Sequence, residues 1–259
     1  MQWGHLTVAE PATMLTDYAV AAAFALSSLL LVRQQRGLLP SSRQQGTLWW
    51  AASFSMLAIS FACAGTEHGF AVYTLCESGP CKFCSPLWLV SMMLAVGAVG
   101  VMVLAYAARD FDHFRTRASK TAALPAFLVP AYCITLLVGE AAQNNEMRSF
   151  LAMVGFLLPL VGQLCFLCYT SIGRSKTAFG NTHSVAAEVS VGRGLALVGV
   201  AQLWNMPKIH PSRWFNANDV SHTVVFLAVP LLYRGAAGIQ DWPRTASREP
   251  NKILELQSP

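Results

Sequence analysis

Apolar and polar positions are segregated along this chain in long blocks rather than alternating residue by residue. A bilayer's hydrocarbon core of about 30 Å needs about 20 apolar residues in helical form. Runs of that length fall at Thr13–Val32, Thr47–Phe70, Pro86–Ala107, Thr121–Glu140, Ser149–Ile172, Ser184–Asn205 and Asn218–Ala236. The pattern predicts an all-α fold, a polytopic membrane bundle of seven transmembrane helices occupying residues 1–238. The remainder, 239–259, is polar and reads as a loosely ordered cytoplasmic tail. Pro125, Pro130 and Pro159 are expected to kink the fourth and fifth helices or to mark their ends. No internal repeat and no second domain are visible.

Composition agrees. Of the 259 residues 54% are hydrophobic and only 12% charged, against about 25% charged in soluble domains. The net charge of +5 is not a nucleic-acid footprint, because no basic patch is interleaved with aromatic residues. The opening residues, MQWGHLTVAEPATML, carry neither a positive leader region nor an A-x-A-like cleavage site, so the first apolar run is expected to remain as a helix. Lys and Arg sort unequally between the two sets of loops. Thirteen (Arg33, Arg36, Arg43, Arg109, Arg115, Arg117, Lys120, Arg174, Lys176, Arg234, Arg244, Arg248 and Lys252) face four (Lys82, Arg148, Lys208 and Arg213). The positive-inside rule then puts the N-terminus outside and the C-terminus in the cytoplasm. Arg193 is left over within the sixth run, where it either snorkels to the cytoplasmic face or pairs inside the membrane, with Glu188 nearby.

Under this topology the polar residues of the apolar runs gather in one leaflet. Asp17 lies in the first outer turns of helix one, Glu67 and His68 in the last outer turn of helix two, and Asp219 and His222 at the outer start of helix seven. Ionisable groups at membrane depth are costly and are functional candidates by default. The stretch Asn216–Gly235 organises them: on a helix, Asp219 and His222 (i, i+3) share a face, as do Asn218 and His222 (i, i+4). His68, His222 and a carboxylate such as Asp219 have the donor types of a zinc site that keeps a position for water. Asp17, Glu67 and Asp219 are the candidates for general acid–base work or for orienting a ligand histidine. Asn218, Ser221 and Trp214 are candidate substrate contacts. The competing reading is a polar network that only joins helices.

The motifs TDY (Thr16–Tyr18), GTEHGF (Gly65–Phe70), NANDVSH (Asn216–His222) and LYRG (Leu232–Gly235) resemble those of a group of bacterial seven-helix membrane proteins. That group is in turn distantly similar to the alkaline ceramidase and adipoQ/progestin receptor superfamily of membrane metal hydrolases. The resemblance implies seven helices and a zinc ion held by one histidine late in helix two and two histidines (i, i+4) in helix seven, with a serine and an aspartate nearby. His68 matches the first ligand, His222 the last, and Ser60 stands near the serine, eight residues before His68 rather than one turn. Asn218 occupies the remaining ligand position, and the third run contains no aspartate. Either Asp219, Asp17 or Glu67 replaces the missing ligands, or the scaffold persists without metal. The bacterial resemblance implies an inner-membrane location.

Cys76, Cys81 and Cys84 lie in the second outer loop, where a disulfide leaving one cysteine over is expected. Cys63, Cys133, Cys165 and Cys168 read as small hydrophobes within helices. Trp49, Trp50, Trp88 and Trp204 read as belt anchors at the membrane interfaces. Helix seven lacks a lysine, which excludes a rhodopsin-like Schiff base, and no C-x-x-C-H motif is present for covalent haem. A non-covalent haem between His68 and His222 stays open. The expectation is a multi-pass membrane protein, in contact with membrane lipids, with an outer-leaflet polar cavity. It is either a metal-dependent hydrolase of a lipid amide or ester, or a non-enzymatic ligand-binding, sensing or accessory protein using the same cluster on a lipid or small molecule.

Overall fold

A computed structural model describes residues 2–3, 6–7, 10–38, 44–71, 85–110, 115–142, 144, 147, 149–179, 182–205 and 216–239. Seven long helices account for nearly all of them: α1 (Pro11–Arg36), α2 (Gln45–Thr66), α3 (Pro86–Asp110), α4 (Arg115–Ala141), α5 (Phe150–Phe179), α6 (Thr182–Asn205) and α7 (Ala217–Gly238). Each is long and apolar enough to cross a membrane; the chain is an all-helical, multi-pass membrane protein. One feature lay outside the expectation, a two-residue antiparallel pair, β1 (Gln2–Trp3) with β2 (Leu6–Thr7), before α1.

Several helices outrun their apolar segments. α1 continues to Arg36, α4 starts at Arg115, and α5 persists to Phe179. Hydropathy registers only the lipid-immersed part, whereas backbone bonding carries a helix on into water. Pro125, Pro130 and Pro159 end no helix; they lie inside α4 and α5, as Pro230 does in α7. Packed neighbours re-satisfy the backbone groups that a membrane proline frees.

Lipid chains are as apolar as leucine, so helix association here rests on close packing and internal hydrogen bonds rather than on burial from water. The tightest pairs are α6–α7, α2–α3 and α1–α2. At Gly235 an added Cβ would stand 2.9 Å from the Ala187 carbonyl oxygen and from the Val191 nitrogen, so α6 and α7 touch through backbone. α4 and α5 pack outside this group around a second apolar cluster of Met92, Val96, Tyr132, Leu136, Met153 and Leu160.

Aromatic rings run through the main core from end to end. Phe61 is 6.0 Å from Phe24, Phe24 5.5 Å from Phe54, Phe54 5.7 Å from Trp50, and Trp50 6.5 Å from Tyr106, centroid to centroid. Trp50 is fully buried, so it is a core residue and not a belt anchor; Trp49 is the exposed one of the two. At one end of this column the Tyr106 hydroxyl donates to Glu188 Oε2 at 2.7 Å. At the other, Phe61 meets the His222 ring edge-on at 5.7 Å.

The Tyr106 end corrects two sequence expectations. Glu188 is paired with Arg109 of α3 and not with Arg193. Arg193 is exposed, whereas Arg109, counted above as a loop charge, is buried. The Glu188 carboxylate also accepts from the Ser171 hydroxyl at 2.6 Å, so the network joins α3, α5 and α6.

Candidate functional site

The His222 end is assembled from the start of α1, the end of α2 and the start of α7. Asn216 caps α7: its side chain accepts from the backbone N–H of Asn218 (2.8 Å) and Asp219 (3.1 Å), while Asp219 Oδ2 accepts from the Asn216 N–H at 2.7 Å. This reciprocal box satisfies donors that a helix start leaves open. The Asn216 amide also donates to Thr13 Oγ1 at 3.2 Å, fastening α7 to α1 one turn before Asp17. Pro11 starts α1 with its φ already helical and no N–H to satisfy. The residue before it, Glu10, donates its backbone N–H to the His68 carbonyl at 3.2 Å. His68 itself lies in a π-helical turn, Glu67–Ala71, into which α2 widens; such turns recur at functional sites.

Two carboxylate–imidazole couples result. Glu10 Oε2 lies 3.0 Å from His68 Nδ1, with the side chains 34% and 17% exposed. Asp17 Oδ1 lies 3.0 Å from His222 Nδ1, with Asp17 fully buried. The first couple is a hydrogen-bonded pair. The second is close but not aligned for a hydrogen bond, and both Asp17 oxygens, Asp219 Oδ1 and His222 Nδ1 are buried without a hydrogen-bond partner. The couples are not isolated from each other. Asp17 is within electrostatic reach of His68, Asp219 and Glu10, and His222 of His68.

Gly65 lets α1 and α2 approach closely enough for this. A Cβ there would stand 3.0 Å from Asp17 Cβ and 3.3 Å from the Met14 carbonyl oxygen. Any larger side chain would push against the very turn that carries Asp17.

The predicted residues divide. Asp17, His68, Asp219 and His222 come together. On α7, Asp219 and His222 do share the site, but they turn to different neighbours, Asp219 back to the helix cap and His222 across to α1. Glu67 is buried and hydrogen-bonded to Ser85, which caps the start of α3; one of its oxygens, Oε2, is left without a partner. Ser60 bonds the Ser91 carbonyl of α3 at 2.8 Å, tying α2 to α3. Ser221 is buried and Asn218 half-buried at the start of α7. Trp214 and the three loop cysteines, Cys76, Cys81 and Cys84, lie outside the described residues. Sequence reasoning missed Glu10. Its signal was an acidic residue directly before the proline that starts a helix, but it precedes the apolar run and was not counted with the membrane groups.

The fit to a metal is partial. Both imidazoles meet a carboxylate through Nδ1, the arrangement that usually orients a ligand histidine. Yet among the described residues no three His, Cys, Asp or Glu side chains are grouped to hold a metal ion. His68 and His222 therefore lack a converging third ligand there.

No curated protein matches this chain, and neither does any solved structure, so the resemblance to the alkaline ceramidase superfamily gains no support from either. One family does match, over residues 12–241, which takes in all seven helices. The chain belongs to DUF6962, a family of unknown function.

Proposed function

We propose that this protein binds a small ligand within the membrane, in a polar site between α1, α2 and α7, and acts as a binding or sensing protein rather than an enzyme. The Lys/Arg distribution orients that site toward the outer leaflet. Asp17 carries the reading. A fully buried carboxylate with both oxygens lacking a hydrogen bond costs several kcal/mol. A bundle built only for packing has no reason to keep it. A site awaiting a donor from outside the chain does.

Thermal unfolding of ligand-free Asp17→Asn in detergent tests this. A ligand site predicts an unchanged or higher Tm, because a buried carboxylate that makes no hydrogen bond is removed and stability is commonly traded for function at such positions. A Tm lowered by several degrees makes Asp17 a helix-joining group and sinks the proposal.

A second reading, a metal-dependent hydrolase of a lipid amide or ester, is supported by the carboxylates at Nδ1 of both histidines. A zinc ion would supply a polarised carbonyl and an acidified water; the described residues offer it two imidazoles and no third grouped ligand. Metal analysis of wild type beside His68→Ala and His222→Ala, run with a lipid-amide hydrolysis assay, separates the readings. About one zinc per chain and turnover, both lost in the variants, would replace the binding proposal with the hydrolase.

A further inference from the structure

The ligand's chemistry can be narrowed from the groups left unmatched, an inference that rests on the binding reading above. The carboxylate oxygens at this end of the bundle that lack a hydrogen bond are Asp17 Oδ1 and Oδ2 and Asp219 Oδ1, with Glu67 Oε2 at the end of α2. The one imidazole atom that lacks a hydrogen bond there, His222 Nδ1, is 3.0 Å from Asp17 Oδ1 and can supply at most one donor. Four acidic side chains, Glu10, Asp17, Glu67 and Asp219, gather here, and their titratable neighbours are His68 and His222. Among the described residues no Lys or Arg lies at the start of α1, the end of α2 or the start of α7. The nearest basic residues of α1, Arg33 and Arg36, are at its far end.

The missing component is thus positively charged and rich in donors. A single proton would supply one donor to one oxygen and leave the others unmatched. A divalent metal needs ligands at about 2.0–2.2 Å in fixed directions, and no three-residue group meets that need among the described residues. An ammonium group supplies three N–H donors at the longer reach of charge-assisted bonds, about 2.7–2.9 Å. We propose that the site between Asp17 and Asp219 binds a small organic cation through a primary ammonium group. The Glu10–His68 couple is partly exposed, whereas Asp17 is fully buried.

The test uses the full chain in lipid nanodiscs, with ethylammonium chloride as probe and tetramethylammonium chloride as a cation of equal charge without N–H donors. Calorimetric titration and thermal unfolding are read together. Ethylammonium should bind saturably and raise Tm, tetramethylammonium should not, and Asp17→Asn should weaken binding about tenfold or more. Asp219→Asn, which keeps a cap oxygen, should weaken it less; it also serves if Asp17→Asn fails to fold. Arg193→Gln should bind as wild type. Equal binding of both cations, or none of ethylammonium, overturns the ammonium assignment. Zinc binding that is lost in Asp17→Asn while ethylammonium stays inert overturns it but leaves a ligand site. No binding of any probe, with Tm lowered in both aspartate variants, overturns the site as well.

Discussion

Arg109 of α3 and Glu188 of α6 form an ion pair with both side chains buried. Glu188 is further held by the hydroxyls of Tyr106 and Ser171, so its charge is met by three donors from two other helices. Removing one partner of such a pair strands the other charge, at a cost of about 3–5 kcal/mol. Glu188→Leu is expected to lower Tm sharply, and Arg109→Leu added to it should recover most of the loss. Differential scanning of the two variants in one detergent decides this. A double variant no better than the single would mean that Glu188 matters for its hydroxyl partners and not for Arg109.

Asp17→Asn is expected to keep or raise the Tm of the ligand-free protein, and Asp17→Leu to behave alike. Glu10→Gln should move stability by less than about 1 kcal/mol, because its pair with His68 is partly exposed and screened. The contrast can be read from denaturation curves of these variants. A Glu10 variant as unstable as Glu188→Leu would show that the couple holds the bundle together.

Two glycines separate close packing from helix propensity. Gly235→Ala would drive a methyl into the α6 backbone and should destabilise by about 1–3 kcal/mol, as overpacking does. Gly199 has open space at its Cβ position, so Gly199→Ala should be neutral or stabilising. Equal effects on Tm would refute the close α6–α7 approach.

Asn216 has two duties, capping α7 and bonding Thr13 of α1. Asn216→Ala should cost about 0.5–2 kcal/mol for the cap alone, and Asn216→Asp, which keeps the cap but not the amide donor, should cost less. Hydrogen exchange at the start of α7 would locate the loss, and protection unchanged in both variants would remove the cap from the account.

The helices were legible because a membrane imposes one composition on every span. Their extensions at Arg36 and Phe179 were not, because beyond the lipid the same backbone carries polar residues. The site was half legible. Asp17, His68, Asp219 and His222 stood out as costly groups in apolar runs, but the pairing of His222 with Asp17 joins the first helix to the last, and no local spacing encodes it. Arg109 was misplaced for a related reason. It ends an apolar run, where charge normally meets water, and only the rotation of α3 decides that it points inward to Glu188. Glu10 escaped notice by lying three residues before the apolar run, although it directly precedes the helix.

The column of rings from Phe61 to Tyr106 has an electrical consequence. It fills the space between the two ionisable ends with bulky groups, of which Phe24, Phe54 and Trp50 are at most 1% exposed, and none of the three phenylalanines can relay a proton. The two ends are therefore insulated from each other along this path. Along this column, no proton can pass through the phenylalanine rings between the Asp17–His222 end and the Arg109–Glu188 end.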